Sequence, residues 1–201
     1  MTGERDAAAA RGVSVERFDV PGPLLLTPIV RRDDRGYFLE RWRDDVCAAV
    51  GLDARFVQDN LSRSRRGVLR GLHFQRAPHQ QGKLVSVVRG RVLDVIVDLR
   101  RGSPTFLRHL AVLLDDEAHR QLWVPPGFAH GFLALGEVND VLYKVDAYHA
   151  PEAEGGLRWD DPALGIDWGL DEHLGGERPS LSARDGALPT VADGLPDFPY
   201  P

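Results

Sequence analysis

Lys83-Leu84-Val85-Ser86-Val87-Val88-Arg89-Gly90-Arg91-Val92-Leu93-Asp94-Val95-Ile96-Val97-Asp98-Leu99 consists of two β-branched runs joined at Arg89-Gly90, and reads as a β-hairpin. In the second run Val92, Asp94, Ile96 and Asp98 project to one side, and Leu93, Val95, Val97 and Leu99 to the other. Both sides are largely apolar, the pattern of a strand covered on two faces. Asp94 is then a carboxylate inside a core, which is costly unless a donor meets it. A structural role and a role in a site both fit it.

Outward from this pair the chain keeps the same character. Further candidate strands are Leu24–Val30, Tyr37–Trp42, Val68–Gln75, Leu110–Leu114, Gln121–Val124, Gly131–Leu135 and Val141–Val145, separated by Gly, Pro and charged turns. Helical periodicity is confined to Asp44–Val50, closed by Gly51. Many short strands at near-regular spacing predict an all-β, antiparallel sandwich or barrel with short peripheral helices. The expected organisation is an N-terminal arm (1–20), a single domain (21–190) and a C-terminal tail (191–201). Within it, 21–150 is the β core and 151 onward an irregular, Pro- and Gly-rich wrap.

Composition removes several classes of function. The 201 residues carry a formal net charge of −5, against a nucleic-acid module built on a basic field. One cysteine, Cys47, allows neither an intramolecular disulfide nor a multi-cysteine metal site. No apolar run approaches the ~20 residues of a membrane-spanning helix. The opening ten residues lack the apolar segment of a secretory signal. A cytoplasmic protein with no nucleic-acid or membrane partner is expected. Nearly all basic residues are arginine; the two lysines are Lys83 and Lys144.

Two stretches combine strand character with unusual polarity. In Gly67-Val68-Leu69-Arg70-Gly71-Leu72-His73-Phe74-Gln75, simple alternation puts Leu69, Gly71, His73 and Gln75 on one face and Arg70 on the other. In Trp123-Val124-Pro125-Pro126-Gly127-Phe128-Ala129-His130-Gly131-Phe132, a Pro–Gly turn feeds a histidine at the start of a strand. The Pro-x-Gly-x-x-His spacing resembles the second motif of cupin barrels. A metal-binding cupin carries a His-x-His pair and a carboxylate in its first motif. Here His73 is followed by Phe74 and Gln75, and His79 lies beyond Pro78, so too few ligands converge. A jelly-roll barrel of cupin type without a metal is expected.

Further stretches make the resemblance specific: Asp34 through Glu40, Phe56-Val57-Gln58-Asp59-Asn60, Gln81 through Val85, Asp94 through Asp98, and Ser103-Pro104-Thr105-Phe106. Leu142-Tyr143-Lys144, Tyr148 with Pro151, Trp159 through Pro162, and Leu181-Ser182-Ala183-Arg184-Asp185 follow in order. Over residues ~22 to ~190 the chain resembles the dTDP-4-dehydrorhamnose 3,5-epimerase family. Four departures stand out: Leu61-Ser62 where the family has His-Ser, Leu107 where it has a glycine, Trp168-Gly169 where it has Trp-Pro, and an expanded Leu170–Pro179.

The resemblance implies a dTDP-linked 4-keto-6-deoxyhexose as substrate, with inversion at C3 and C5 and no cofactor. The 4-keto group acidifies the flanking hydrogens, so inversion needs a base on one face and an acid on the other. By the same resemblance His73 is the base, Asp185 the carboxylate that orients it, Tyr143 the acid and Lys83 the cation at the 4-keto oxygen. His130 and Asp94 form a second polar pair against the sugar. Arg35, Gln58, Asn60 and Arg70 hold phosphate or nucleotide and Tyr148 packs on thymine; Phe38, Glu40 and Glu154 are further substrate-binding positions. Arg70 and His73 share one cavity only if a bulge near Gly71 breaks the alternation. The family exchanges its N-terminal strand between subunits, which implies a homodimer in which Arg35 serves the partner's site. A C3- or C5-only mono-epimerase, a non-catalytic sugar-nucleotide-binding cupin and a metal-dependent cupin oxygenase are the alternatives.

Overall fold

The computed structural model describes residues 12–200. Two antiparallel sheets face each other in a jelly-roll barrel. The first has six strands in the order β1 (Val13–Arg17), β2 (Leu24–Pro28), β11 (Gln121–Val124), β7 (Lys83–Arg89), β13 (Val138–Val145) and β5 (Gln58–Arg65). The second has five: β10 (His109–Asp115), β8 (Arg91–Asp98), β12 (Phe128–Ala134), β6 (Leu69–Gln75) and β14 (Glu154–Gly156). β3 (Arg31–Asp33) and β4 (Gly36–Phe38) pair only with each other, as an exposed hairpin. β9 (Arg100–Arg101) pairs with β15 (Phe198–Pro199). Helices are short: α1 (Asp44–Ala49), α2 (Leu170–Leu174) and α3 (Ala183–Gly186). None of the described helices is long and apolar enough to cross a membrane.

Lys83–Leu99 is not a hairpin. β7 bonds to β11 and β13, whereas β8 bonds to β10 and β12, so the chain changes sheets at Gly90. Gly90 adopts φ +84°, and a Cβ there would lie 2.2 Å from the Val138 carbonyl oxygen. Asp116 Oδ2 and Asn139 Oδ1 accept the Gly90 and Arg91 amide protons that a hairpin turn would have used (2.9 and 3.0 Å). Alternation specifies which faces a strand buries, but not which strand lies beside it.

The two-faced burial of β8 holds. Val92 and Ile96 enter the core between the sheets with Val85, Val87, Leu122, Phe128 and Phe132. Leu93, Val95, Val97 and Leu99 enter an outer core beneath the C-terminal wrap, against Leu157, Trp159, Leu164, Trp168 and Phe198. A third cluster packs α1 on the outer face of the six-stranded sheet through Val46, Cys47 and Val50 against Leu24, Leu26 and Trp123.

Both termini depart from expectation. Of the arm at 1–20, residues 1–11 lie outside the described residues, and Val13–Arg17 is a strand of the sheet. Of the tail at 191–201, residue 201 lies outside the described residues and the rest is docked: Phe198 is 1% exposed and meets Phe74 edge-to-face at 5.6 Å. Asp98 holds this end together. Its carboxylate accepts from the Arg100 guanidinium (2.8 Å to each oxygen), Ser103 Oγ (2.6 Å) and Thr105 Oγ1 (2.7 Å). Arg100 then donates to the Pro21 carbonyl and lies over the rings of Phe128 and Tyr200. The Ser103–Phe106 motif is thus structural. Tyr37–Trp42 keeps strand geometry only to Phe38, and the polar Gln58–Arg65 forms a strand, β5, beyond those expected.

Because Phe198 fills the outer core, Phe198→Ala is expected to cost about 3–5 kcal/mol. Urea unfolding measures this; a loss under about 1 kcal/mol would show the tail to be dispensable.

Candidate active site

The site begins with an irregularity in β6. His73 pairs with His130 and Arg70 with Phe132, so two residues of β6, Gly71 and Leu72, oppose the single residue Gly131. This is a β-bulge. Leu69, Leu72 and Phe74 turn into the outer core, while Arg70 and His73 both line the barrel cavity. The grouping of Leu69 with His73 fails for this reason, and the bulge required at Gly71 is present. Only glycine serves here. Gly71 has φ +124°, and a Cβ on it would sit 2.5 Å from Gly131 Cα.

Two adjoining cavities share His73, Lys83 and Tyr143 in their walls. One, of about 320 Å³, also takes Ser62, Arg70, His130, Phe132, Arg184 and Asp185. The other, of about 260 Å³, adds Gln58, Asn60, Gln75, Gln81, His149 and Glu154. A larger depression of about 560 Å³ lies in the C-terminal wrap beside Trp159 and Trp168. Two of its carboxylates are engaged in holding the wrap: Asp160 with Arg158 and Arg178, Asp161 with the amides of Ala163 and Val191. The shared cavities hold the chemistry.

His73 Nε2 and Asp185 Oδ1 are 2.6 Å apart, although 112 residues separate them in sequence. Asp185 stands in the first turn of α3, where its amide donates to the Ser182 N-cap hydroxyl (3.0 Å). Burial lowers the His73 pKa from its ordinary value; Asp185 opposes this, and Lys83 and Arg184 add to it. The imidazole is therefore neutral at pH 7. With one ring nitrogen bonded to a carboxylate, the other carries the lone pair that accepts a proton.

Burial also governs the other two groups. Lys83, on β7, is pushed down to about 8, with Asp94 and Glu154 opposing the shift. Tyr143, on β13, is raised by burial and by Glu154, and lowered by Arg70. It keeps its proton until a strong base appears. His130 Nε2 meets the fully buried Asp94 at 2.9 and 3.1 Å, which satisfies that carboxylate. Asp94 reaches the cavity only through His130. Glu154 is held by Arg184 (2.6 Å) and His149 (3.2 Å).

Five expected positions do not line the two shared cavities: Asp94 lies behind His130, and four others lie farther off. Arg35 and Phe38 lie on the exposed β3–β4 hairpin, with Arg35 paired to Asp33 at 2.6 Å and Phe38 69% exposed. Glu40 follows in an exposed loop. The hairpin bonds to neither barrel sheet, so nothing within the chain carries these side chains to His73. Tyr148 is 70% exposed, and its carbonyl, not its ring, is held by Gln75. Lys144 pairs with Asp59 at 2.7 Å on the outer face. Among the described residues no three His, Cys, Asp or Glu side chains form a metal-ligand group.

Sequence reasoning missed Ser62, Arg184, His149 and Gln81 as wall residues. β5 offered a signal: Gln58, Asn60, Ser62 and Ser64 alternate with exposed residues, a polar face turned inward toward a cavity.

Residues 17–193 match the sequence profile of the dTDP-4-dehydrorhamnose 3,5-epimerases. The enzyme of that name from Salmonella typhimurium is 45% identical over 177 residues, 88% of this chain and 94% of the other. A crystal structure of the dTDP-6-deoxy-D-glucose-3,5-epimerase of Legionella pneumophila with dTDP-4-keto-L-rhamnose superposes with a TM-score of 0.85. It is 41% identical and covers 94% of this chain and 100% of its own. A 3′-monoepimerase from Streptomyces bikiniensis, in complex with dTDP-quinovose, has a TM-score of 0.82 at 34% identity, over 90% and 92% of the two chains. With a His–Asp pair, a tyrosine and a lysine in one cavity of a jelly roll, and likeness over nearly its whole length, this chain belongs to the dTDP-4-dehydrorhamnose 3,5-epimerase family.

Proposed function

We propose that the protein epimerises a dTDP-4-keto-6-deoxyhexose at C3 and C5, with His73 as base and Tyr143 as acid. The supporting observation is the 2.6 Å His73–Asp185 pair in a cavity that also contains Tyr143 and Lys83. Neutral His73 takes the hydrogen from the carbon beside the ketone, and Asp185 stabilises the imidazolium that forms. Negative charge moves to the 4-keto oxygen, where the Lys83 ammonium, aligned before reaction, lowers the barrier. Tyr143 returns a proton to the opposite face; its phenolate is then reprotonated from solvent, and the His73 imidazolium gives its proton up to solvent before the second carbon reacts. His130, held by Asp94, orients the hexose, while Arg70, Gln58 and Asn60 hold the nucleotide diphosphate and Glu154 is a further substrate-binding position. A mono-epimerase would use the same groups; the greater identity to the double epimerases favours inversion at both carbons.

The exposed hairpin fits a homodimer. Ile29, Tyr37 and Phe38 expose 49%, 53% and 69% of their surface at the segment that carries Arg35. Exchanged onto a second copy, it would bury these apolar groups and deliver Arg35, Phe38 and Glu40 to the partner's cavity.

Three outcomes test these assignments. In D₂O, with a reductase trapping product, the wild type is expected to place deuterium at both C3 and C5. His73→Asn should lose exchange at both by about 10²–10⁴-fold, and Tyr143→Phe should retain exchange but lose inversion at C5. Label at one carbon would make the enzyme a mono-epimerase; near-normal turnover of His73→Asn would remove the base.

The pH profile of kcat/KM should be a bell. Its acid limb lies below histidine's ordinary ~6.5, because burial lowers the His73 pKa. Its alkaline limb lies at about 8, where Lys83 loses its charge. Lys83→Arg should abolish the alkaline limb below pH ~10, since arginine does not deprotonate there; an unmoved limb would assign it elsewhere.

Mixing Arg35→Ala with His73→Asn subunits should restore activity that neither parent has, because a mixed dimer keeps one intact site. No recovery would mean that Arg35 serves no partner.

A further inference from the structure

The inward face of β5 carries Gln58, Asn60, Ser62 and Ser64. Three of these have partners. Gln58 Nε2 donates to Asn60 Oδ1 (2.8 Å), Gln58 Oε1 accepts from the His149 amide (3.1 Å), and Ser64 Oγ accepts from Arg70 Nε (3.0 Å). Ser62 Oγ is shielded from solvent and has no hydrogen-bond partner. A shielded, unpaired hydroxyl costs folding free energy that an apolar side chain would not. The neighbours make alanine the better structural choice: across the ladder stands Val141, packed in the core between the sheets, and Phe132 lines the same wall.

We propose that Ser62 is a substrate-binding residue whose hydroxyl makes its hydrogen bond to the hexose. This rests on the function assigned above. The wall that Ser62 shares includes His73, His130 and Tyr143, the groups assigned to the sugar. Arg70, on the same wall, is tied back to Ser64 and to the Arg63 carbonyl. A serine hydroxyl both donates and accepts, and it rotates among staggered positions to meet a ligand hydroxyl. β5 is the edge strand of its sheet and pairs only with β13, so no further strand supplies a partner on the far side.

Ser62→Ala tests this against wild type in three measurements. kcat/KM with the 4-keto substrate is expected to fall about tenfold, the worth of one neutral hydrogen bond left unmade. By calorimetric titration, affinity for dTDP-glucose, which has no 4-keto group and does not turn over, should fall by a similar factor. Affinity for dTDP should stay within about twofold, and the thermal midpoint should be unchanged or higher, because an unpaired hydroxyl has been removed. The proposal is overturned if kcat/KM stays within about twofold of wild type. Equal weakening for dTDP and dTDP-glucose overturns it too, by placing the contact on the diphosphate. A thermal midpoint lowered by about 5 °C overturns it by placing the partner inside the protein. Wild-type protein that lacks epimerase activity but binds dTDP-glucose better than the variant would keep the hydroxyl's role and remove the reaction.

Discussion

Gly71 and Gly131 touch, and no other residue pair would let β6 and β12 approach as they do. A Cβ on either would fall within 2.7 Å of the facing backbone. That approach admits the bulge, and the bulge rotates part of β6 by one face. Without it, Arg70 and His73 would lie on opposite sides of the sheet, one in the cavity and one beneath the C-terminal wrap. His73 and Arg70, the proposed base and nucleotide-binding arginine, share a cavity because two positions lack side chains.

The second dependence runs through the outer core. The five-stranded sheet is apolar on the face turned away from the barrel, so something must cover it. Residues 157–198 do so through Leu157, Trp159, Leu164, Trp168 and Phe198. The Trp168 indole donates to the Trp159 carbonyl, and Ser180 joins the sheet through a bridge to Val68. Docked in this way, the wrap has little freedom when it reaches α3, and Asp185 arrives against His73. The hydrophobic demand of one sheet face thus positions a carboxylate that belongs to the other face's chemistry. The Asp98–Arg100 knot fastens the same wrap at its far end.

Burial then sets the chemistry. The same removal from water that closes the barrel depresses His73 and Lys83 and raises Tyr143. Each shift favours the neutral form: a free base, a lysine that charges only below about 8, and a phenol that holds its proton. Asp185 counters desolvation at His73, the histidine it touches. One physical cause thus acts differently on three groups, because they start from different intrinsic pKa values.

The sequence determined the all-β architecture, the two-faced burial of Val92–Leu99, most strand positions and, through its run of motifs, the family with His73, Lys83 and Tyr143. Local alternation and residue chemistry suffice for these, because each is fixed by a side chain and its near neighbours. Tertiary structure decided which strands pair, that β7 and β8 part company at Gly90, and that the tail is core. It also decided that Arg35, Phe38 and Glu40 stand outside this chain's cavity, and that Asp185 closes on His73. These depend on contacts between residues far apart in sequence. A pattern of period two says which way a side chain points, and the packed fold alone says what it meets there.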